Sequence, residues 1–138
     1  MEQASRQVDG ERIVKSIVMV DSNGNPILAL VPARSMVSHK KLKRFLSVRD
    51  VRLANREEVL RFSGYPAGGV PPFNDVKRVI AGPEILKSDT IFVGGGDVDK
   101  LLEVRAKDVI DVSNAQLVDI LQDKAENADA TGPCVSRP

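Results

Sequence analysis

The stretch Arg12 to Val20, RIVKSIVMV, sets one ammonium among apolar and mostly β-branched residues. Ile13, Val14, Ile17, Val18, Met19 and Val20 suit a strand covered on both faces. Lys15 does not fit there on packing grounds, because a charge in a dry interior costs roughly several kcal/mol unless it is paired or reaches water. Two readings follow. The lysine stem snorkels from an edge strand, or its head is a fixed positive charge kept for a ligand. Two glycine-rich stretches, GYPAGGVPPFN (64–74) and GGGD (94–97), are the other candidates for chemistry. Glycine lets main-chain N–H groups approach a ligand, and the prolines around Gly68 and Gly69 would hold those amides still. Such donors bind carbonyl oxygens, carboxylates or phosphates and stabilise a developing oxyanion. Gly68 and Gly69 would form one wall, Gly94, Gly95 and Gly96 the opposite wall, and Lys15 the charge between them. The plainer alternative is a turn and a wide hairpin loop.

Other chemistries are poorly supplied. With one His and one Cys there is no Cys/His zinc cluster, so no metal or other cofactor is expected, and a Ser-His-Asp triad could use only His39. His39 stands in a basic helix start and reads as a surface residue. There is no GxxxxGK[ST], and GGGDVD lacks dinucleotide-fingerprint spacing. Four Phe, one Tyr and no Trp make a stacking platform for single-stranded nucleic acid unpromising.

The elements that must hold these groups follow from local pattern. A short helix is expected at 2–8, then the strand 12–20. Asp21 to Pro26, DSNGNP, is a hairpin turn returning into an antiparallel strand at 27–32. Ser38 can cap a helix to Leu46, with Leu42, Phe45 and Leu46 at helical spacing. A strand at 51–55 precedes a helix that Asn55 and Glu58 open as a capping box and Gly64 closes. Strands at 78–82 and 90–94 flank a short helix with Pro83 first. A strand at 100–106, a helix from about Lys107 and a last strand at 115–121 complete the core. This order predicts a single compact α/β (α+β) domain, residues 1–121, built on a curved mixed sheet flanked by short helices. Residues 122–138 read as a polar, mobile tail.

The net charge of +1 is unevenly spread. Arg34 to Arg61 holds nine Lys or Arg against three Asp or Glu, whereas Ala106 to Asp129 holds two against six. A local basic patch facing an anion is one reading, and a solvated helix face the other. No run approaches a membrane span of about 18 apolar residues. The polar N-terminus and lone Cys134 lead to an expectation of a cytoplasmic protein.

RIVKSIVMV, RFSGYPAGGVPPF and IFVGGGDVDKLLEV, in this order and spacing, resemble the YbaK/ProX family of aminoacyl-tRNA editing domains, over about residues 4 to 121. These occur as free-standing deacylases and as the insertion domain of bacterial prolyl-tRNA synthetase. The resemblance implies hydrolysis of the ester joining a wrong amino acid to tRNA. It assigns the strand lysine to Lys15, the small hydroxyl residue after it to Ser16, and the loop backbones to Gly68, Gly69, Gly94, Gly95 and Gly96. Lys15 would then face a pocket for the 3′ terminal adenosine and its ester. Water would be the nucleophile, helped by the substrate's 2′-hydroxyl. Lys40, Lys41, Lys43 and Arg44 become candidate tRNA phosphate contacts.

Two departures bear on substrate. Relatives carry a further segment before the first helix that helps line the pocket, and many place a serine where Val70-Pro71-Pro72 and Gly94 stand here. Fewer hydroxyls favour a small amino acid such as alanine, cysteine or serine, expected on tRNA(Pro). Expected partners are the tRNA 3′ end and a synthetase, with no membrane, and the protein as monomer or homodimer. The alternative is a non-catalytic module of the same fold that binds tRNA or a synthetase; a third reading has a partner chain supply the missing wall.

Overall fold

A computed structural model describes residues 12–97 and 100–122. The helix expected at 2–8, Cys134 and the tail beyond residue 122 lie outside the described residues. The strands are β1 (Val14–Asp21), β2 (Pro26–Pro32), β3 (Val51–Leu53), β4 (Val79–Ala81), β5 (Thr90–Gly94), β6 (Leu101–Arg105) and β7 (Gln116–Leu117). The helices are α1 (His39–Leu46), α2 (Arg56–Ser63) and α3 (Ala106–Ser113), with a 3-10 turn at Pro83–Lys87.

The hairpin forms as its residues dictate. Asp21 Oδ1 accepts from the N–H groups of Asn23 and Asn25 at 2.8 and 2.9 Å, and Gly24 takes φ +86. β1 and β2 then pair antiparallel from Val14 opposite Pro32 to Val20 opposite Pro26. Five strands make a mixed sheet in the order β3-β1-β2-β4-β7, with β2-β4 and β4-β7 parallel. β5 and β6 form a separate antiparallel ribbon, tied to β1 by a parallel bridge between Ile13 and Phe92. The α/β reading with a mixed sheet therefore holds.

Side-chain alternation on β1, β2 and β4 feeds a core on each face of the sheet. Val14, Val18, Leu28, Leu30 and Ala81 pack with Val70, Val93 and Val109 on one side. Met19, Ile27, Ala29, Val31 and Ile80 pack with Val37, Leu42 and Ile120 on the other. Both faces of β2 are covered, which is why ILALV is an unbroken apolar run.

The caps decide where helices start. Ser38 accepts the Lys41 N–H at 3.2 Å to open α1. Asn55 and Glu58 complete the predicted box on α2, and Arg52 clamps Glu58 at 2.8 Å, so the Glu58 pKa falls to about 2. The last predicted strand is shorter than expected. Only Gln116 and Leu117 pair with β4; Val118 then bonds Ala81, and the chain leaves the sheet to strap the α1 side through Ser38 N–H to Ile120 O and a Val37–Leu121 bridge. Burying Ile120 among Val31, Val37 and Leu42 outweighs continuing the ladder.

Candidate functional site

β1 carries the lysine along a broken edge. On the side away from β2, it bridges β5 at Ile13 and pairs β3 from Met19 to Asp21. Between these points no strand pairs with that edge. The parallel bridge Ile13–Phe92, carried two residues forward, sets Lys15 level with Gly94 at the end of β5. Lys15 thus reaches a seam where sheet and ribbon separate.

Lys15 is half-buried and has no hydrogen bond or ion pair among the described residues. Burial lowers its pKa from the ordinary 10.5, because the charged form loses water and gains no counter-charge. Ser16 is its complement. Its Oγ is buried with no hydrogen-bond partner, a costly state for a hydroxyl. Strand alternation puts Ser16 on the face of Val14 and Val18, toward Val70 and Val93, and Lys15 on the face of Ile17 and Met19. The two candidates therefore flank one edge from opposite faces and do not share a wall.

The glycine loops do come together, by direct backbone contact. A Cβ on Gly69 would sit 2.6 Å from the Asp97 carbonyl carbon, and one on Gly94 would sit 2.7 Å from Val70 O. The loops are one packed unit, not two facing walls. Gly69 N–H donates to Pro66 O, Gly95 N–H to Lys100 O and Gly96 N–H to Gly69 O, at 2.9 to 3.0 Å. These three amides are committed internally, which corrects the expectation of exposed amides on both loops. Gly68 N–H has no hydrogen bond among the described residues. Glycine is needed here for close approach more than for donating to a ligand.

The basic residues of α1 divide. Lys41 Nζ donates to Asp119 Oδ2 at 3.1 Å and to Leu121 O at 2.8 Å, holding the strap. Lys40 and Arg44 are exposed and Lys43 is half-buried. Arg78 joins them by stacking over Phe45 at 5.9 Å, a neighbour that sequence spacing could not supply. Sequence reasoning also passed over Arg12, which holds the ribbon against β1. Its Nε donates to Thr90 O at 3.1 Å, its Nη2 to Thr90 Oγ1 and to Glu103 Oε2, and it stacks on Phe92 at 5.0 Å. The only signal in sequence was its position, three residues before Lys15.

Two open clefts lie elsewhere. One of about 760 Å³ is lined by Tyr65, Phe73 and Val112 among others, and one of about 910 Å³ by Leu86, Thr90 and Asp111 among others. Neither is lined by Lys15, Ser16 or the packed glycines. Among the described residues no group of His, Cys, Asp and Glu could hold a metal ion, and no helix is long and apolar enough to cross a membrane.

A family model described as "Aminoacyl-tRNA editing domain" matches residues 2–112. The chain belongs to this family. Curated relatives of the editing domain include a proline–tRNA ligase of Desulfotalea psychrophila, 31% identical over 91 residues, which are 66% of this chain and 16% of the ligase. A protein of Enterococcus faecalis, named provisionally as a Cys-tRNA(Pro)/Cys-tRNA(Cys) deacylase, is 23% identical over 115 residues, 82% of this chain and 70% of that protein. Among solved structures, one described provisionally as a trans-editing enzyme for prolyl tRNA synthetase superposes with a TM-score of 0.80 at 26% identity, over 88% of this chain and 78% of that one. The editing domain spans about a sixth of the ligases it matches, 16% in the first case.

Proposed function

We propose that this editing domain is an aminoacyl-tRNA deacylase acting in trans on mischarged tRNA, in the cytoplasm. Family membership supports the reaction class, and the observation that carries the site is Lys15, an ammonium with no partner among the described residues, at the open β1 edge level with Gly94. In the reaction a water oxygen attacks the ester carbonyl carbon. The bond from that carbon to the ribose oxygen breaks, the ribose oxygen takes the proton, and free amino acid leaves the intact tRNA. Lys15 holds negative charge, on the carbonyl oxygen as it develops or on the terminal phosphate, and burial strengthens that attraction. Ser16 Oγ, buried with its hydrogen bond unmet on the other face, meets the substrate only where the β1 edge opens to it. Lys40, Lys43 and Arg44 grip phosphates further along the acceptor arm, with Arg78 beside them.

The substrate we propose is a small amino acid, alanine, cysteine or serine, on tRNA(Pro). Purified protein is to be assayed against a panel of tRNAs carrying these residues. Release of one or more of them, lost in Lys15→Ala, is the expected result; a panel left intact by the wild-type chain overturns the proposal.

A second reading is favoured by one observation. With Gly69, Gly95 and Gly96 amides committed internally, the oxyanion donors are fewer than a hydrolase commonly presents. A binding module of the same fold would hold tRNA with an affinity that falls steeply with salt, and would cleave nothing.

A further inference from the structure

We propose that two copies of this chain pair through the outer edge of β6, antiparallel, with the two-fold axis at Leu102. Among the described residues the β5-β6 ribbon has only two strands, and one side of β6 faces no other strand. Gly95 N–H to Lys100 O and Ala106 N–H to Asp89 O, both 2.9 Å, mark hydrogen-bonded pairs at either end of the ribbon. Hydrogen-bonded and non-bonded pairs alternate along an antiparallel ladder. Leu102 and Val104 therefore turn their main-chain groups inward to β5, and Leu101, Glu103 and Arg105 turn theirs outward. Arg105 is the N-cap residue of α3, so its carbonyl is committed to the helix. The free groups are the N–H and C=O of Leu101 and Glu103, together with the N–H of Arg105.

This edge has no proline or bulge, and its protection against pairing is its short length and the charges of Glu103 and Arg105. Four of its five residues are exposed, with Leu101 at 42% and Leu102 at 49%. A second copy fits it with no foreign sequence. In the antiparallel register centred on Leu102, Leu101 lies opposite Glu103 of the second copy and Glu103 opposite its Leu101. The N–H and C=O of Leu101 and Glu103 on each strand find partners, the Arg105 N–H is left to solvent, and Leu102 packs on its own counterpart. Pairing then ends at Val104 opposite Lys100, before α3 intrudes. The remaining concern is like charge, since both Glu103 residues approach the axis. Each arrives neutralised, because Arg12 holds its Oε2 at 2.9 Å and Thr90 Oγ1 donates to it at 3.1 Å.

A five-residue edge covers less than the roughly 800 Å² per partner of standard interfaces, so the dimer is weak and forms only at high concentration. Leu102 Cγ also lies 3.4 Å from where a Gly95 Cβ would be, so the joint adjoins the glycine loop.

Sedimentation velocity on the full chain, carried up to about 500 μM so that a weak dimer is populated, tests the pairing without reference to tRNA. The expected result is a weight-average mass rising toward twice that of the chain. Leu102→Lys is expected to stay monomeric throughout with its melting temperature unchanged, since Leu102 is exposed. Leu102→Cys with Cys134→Ser is expected to cross-link to a disulfide dimer on mild oxidation. A wild-type chain that stays monomeric at the highest concentration overturns the proposal, as does a dimer that survives Leu102→Lys. Failure of Leu102→Cys to cross-link while the dimer persists overturns the register.

Discussion

Arg12 and Lys15 stand three residues apart at the same strand edge, and the molecule treats them oppositely. Arg12 has a carboxylate, a carbonyl, a hydroxyl and an aromatic face gathered around it, drawn from β5 and β6. Lys15 has no hydrogen bond or ion pair among the described residues, although it is half-buried and its charge is disfavoured there. A cation kept for structure collects partners, because each one offsets its desolvation. On the proposed function, Lys15 is left short of them for its ligand, and the fold carries the cost. Ser16 repeats the contrast against Ser63, whose buried hydroxyl donates to Val59 O at 2.6 Å.

The contrast breaks most visibly at Lys15. Lys15→Met is expected to lower deacylation at least about 100-fold, some 3 kcal/mol of barrier, while the folded state is as stable as wild type or more so. The stability difference has a definite pH dependence. The folded pKa lies below 10.5, so burying the charged lysine is unfavourable at neutral pH. Wild-type stability rises as pH climbs through the folded pKa toward 10.5, and the advantage of the Met variant shrinks over that window. Urea unfolding at pH 7 and pH 10 measures it; equal differences at the two pH values would mean that Lys15 is not strained.

Gly69→Ala tests the packed join of the two glycine loops. Its methyl would meet the Asp97 backbone at 2.6 Å, neither side can yield as a side chain would, and a loss of about 1–3 kcal/mol is expected. Activity should fall with it, as the loops shift together. A variant of wild-type stability would show that the loops separate readily. Arg12→Ala should cost least, about 1 kcal/mol, because its contacts are partly exposed. Its signature is faster amide exchange in β5 and β6, with the β1–β2 hairpin unchanged.

Much of this was legible in the sequence, for reasons of range. The Asn23-Gly24 turn, the Asn55/Glu58 box and the Gly64 stop are decided within a few residues, and they form as read. The resemblance carried by Lys15 and the glycine stretches fixed the family. The opposite faces of Lys15 and Ser16 were available from strand period alone. What the sequence withheld is long-range. Whether Gly69 offers its amide to a ligand or uses it on Pro66 depends on where residues 94–97 pack. The end of β7 depends on Val37 and Leu42 attracting Ile120 off the sheet. Lys41 reads like its neighbours until Asp119, 78 positions away, takes it.

Contact between Gly69 and Asp97, and between Gly94 and Val70, leaves no side chain between two stretches of main chain. Side chains absorb small displacements by changing rotamer, and bare backbone does not. Any push on the end of the ribbon, from a second molecule or a substrate, is therefore handed to the Tyr65–Pro72 loop undiminished. Efforts to retune the proposed substrate should leave those glycines alone and work on the loop's flanks.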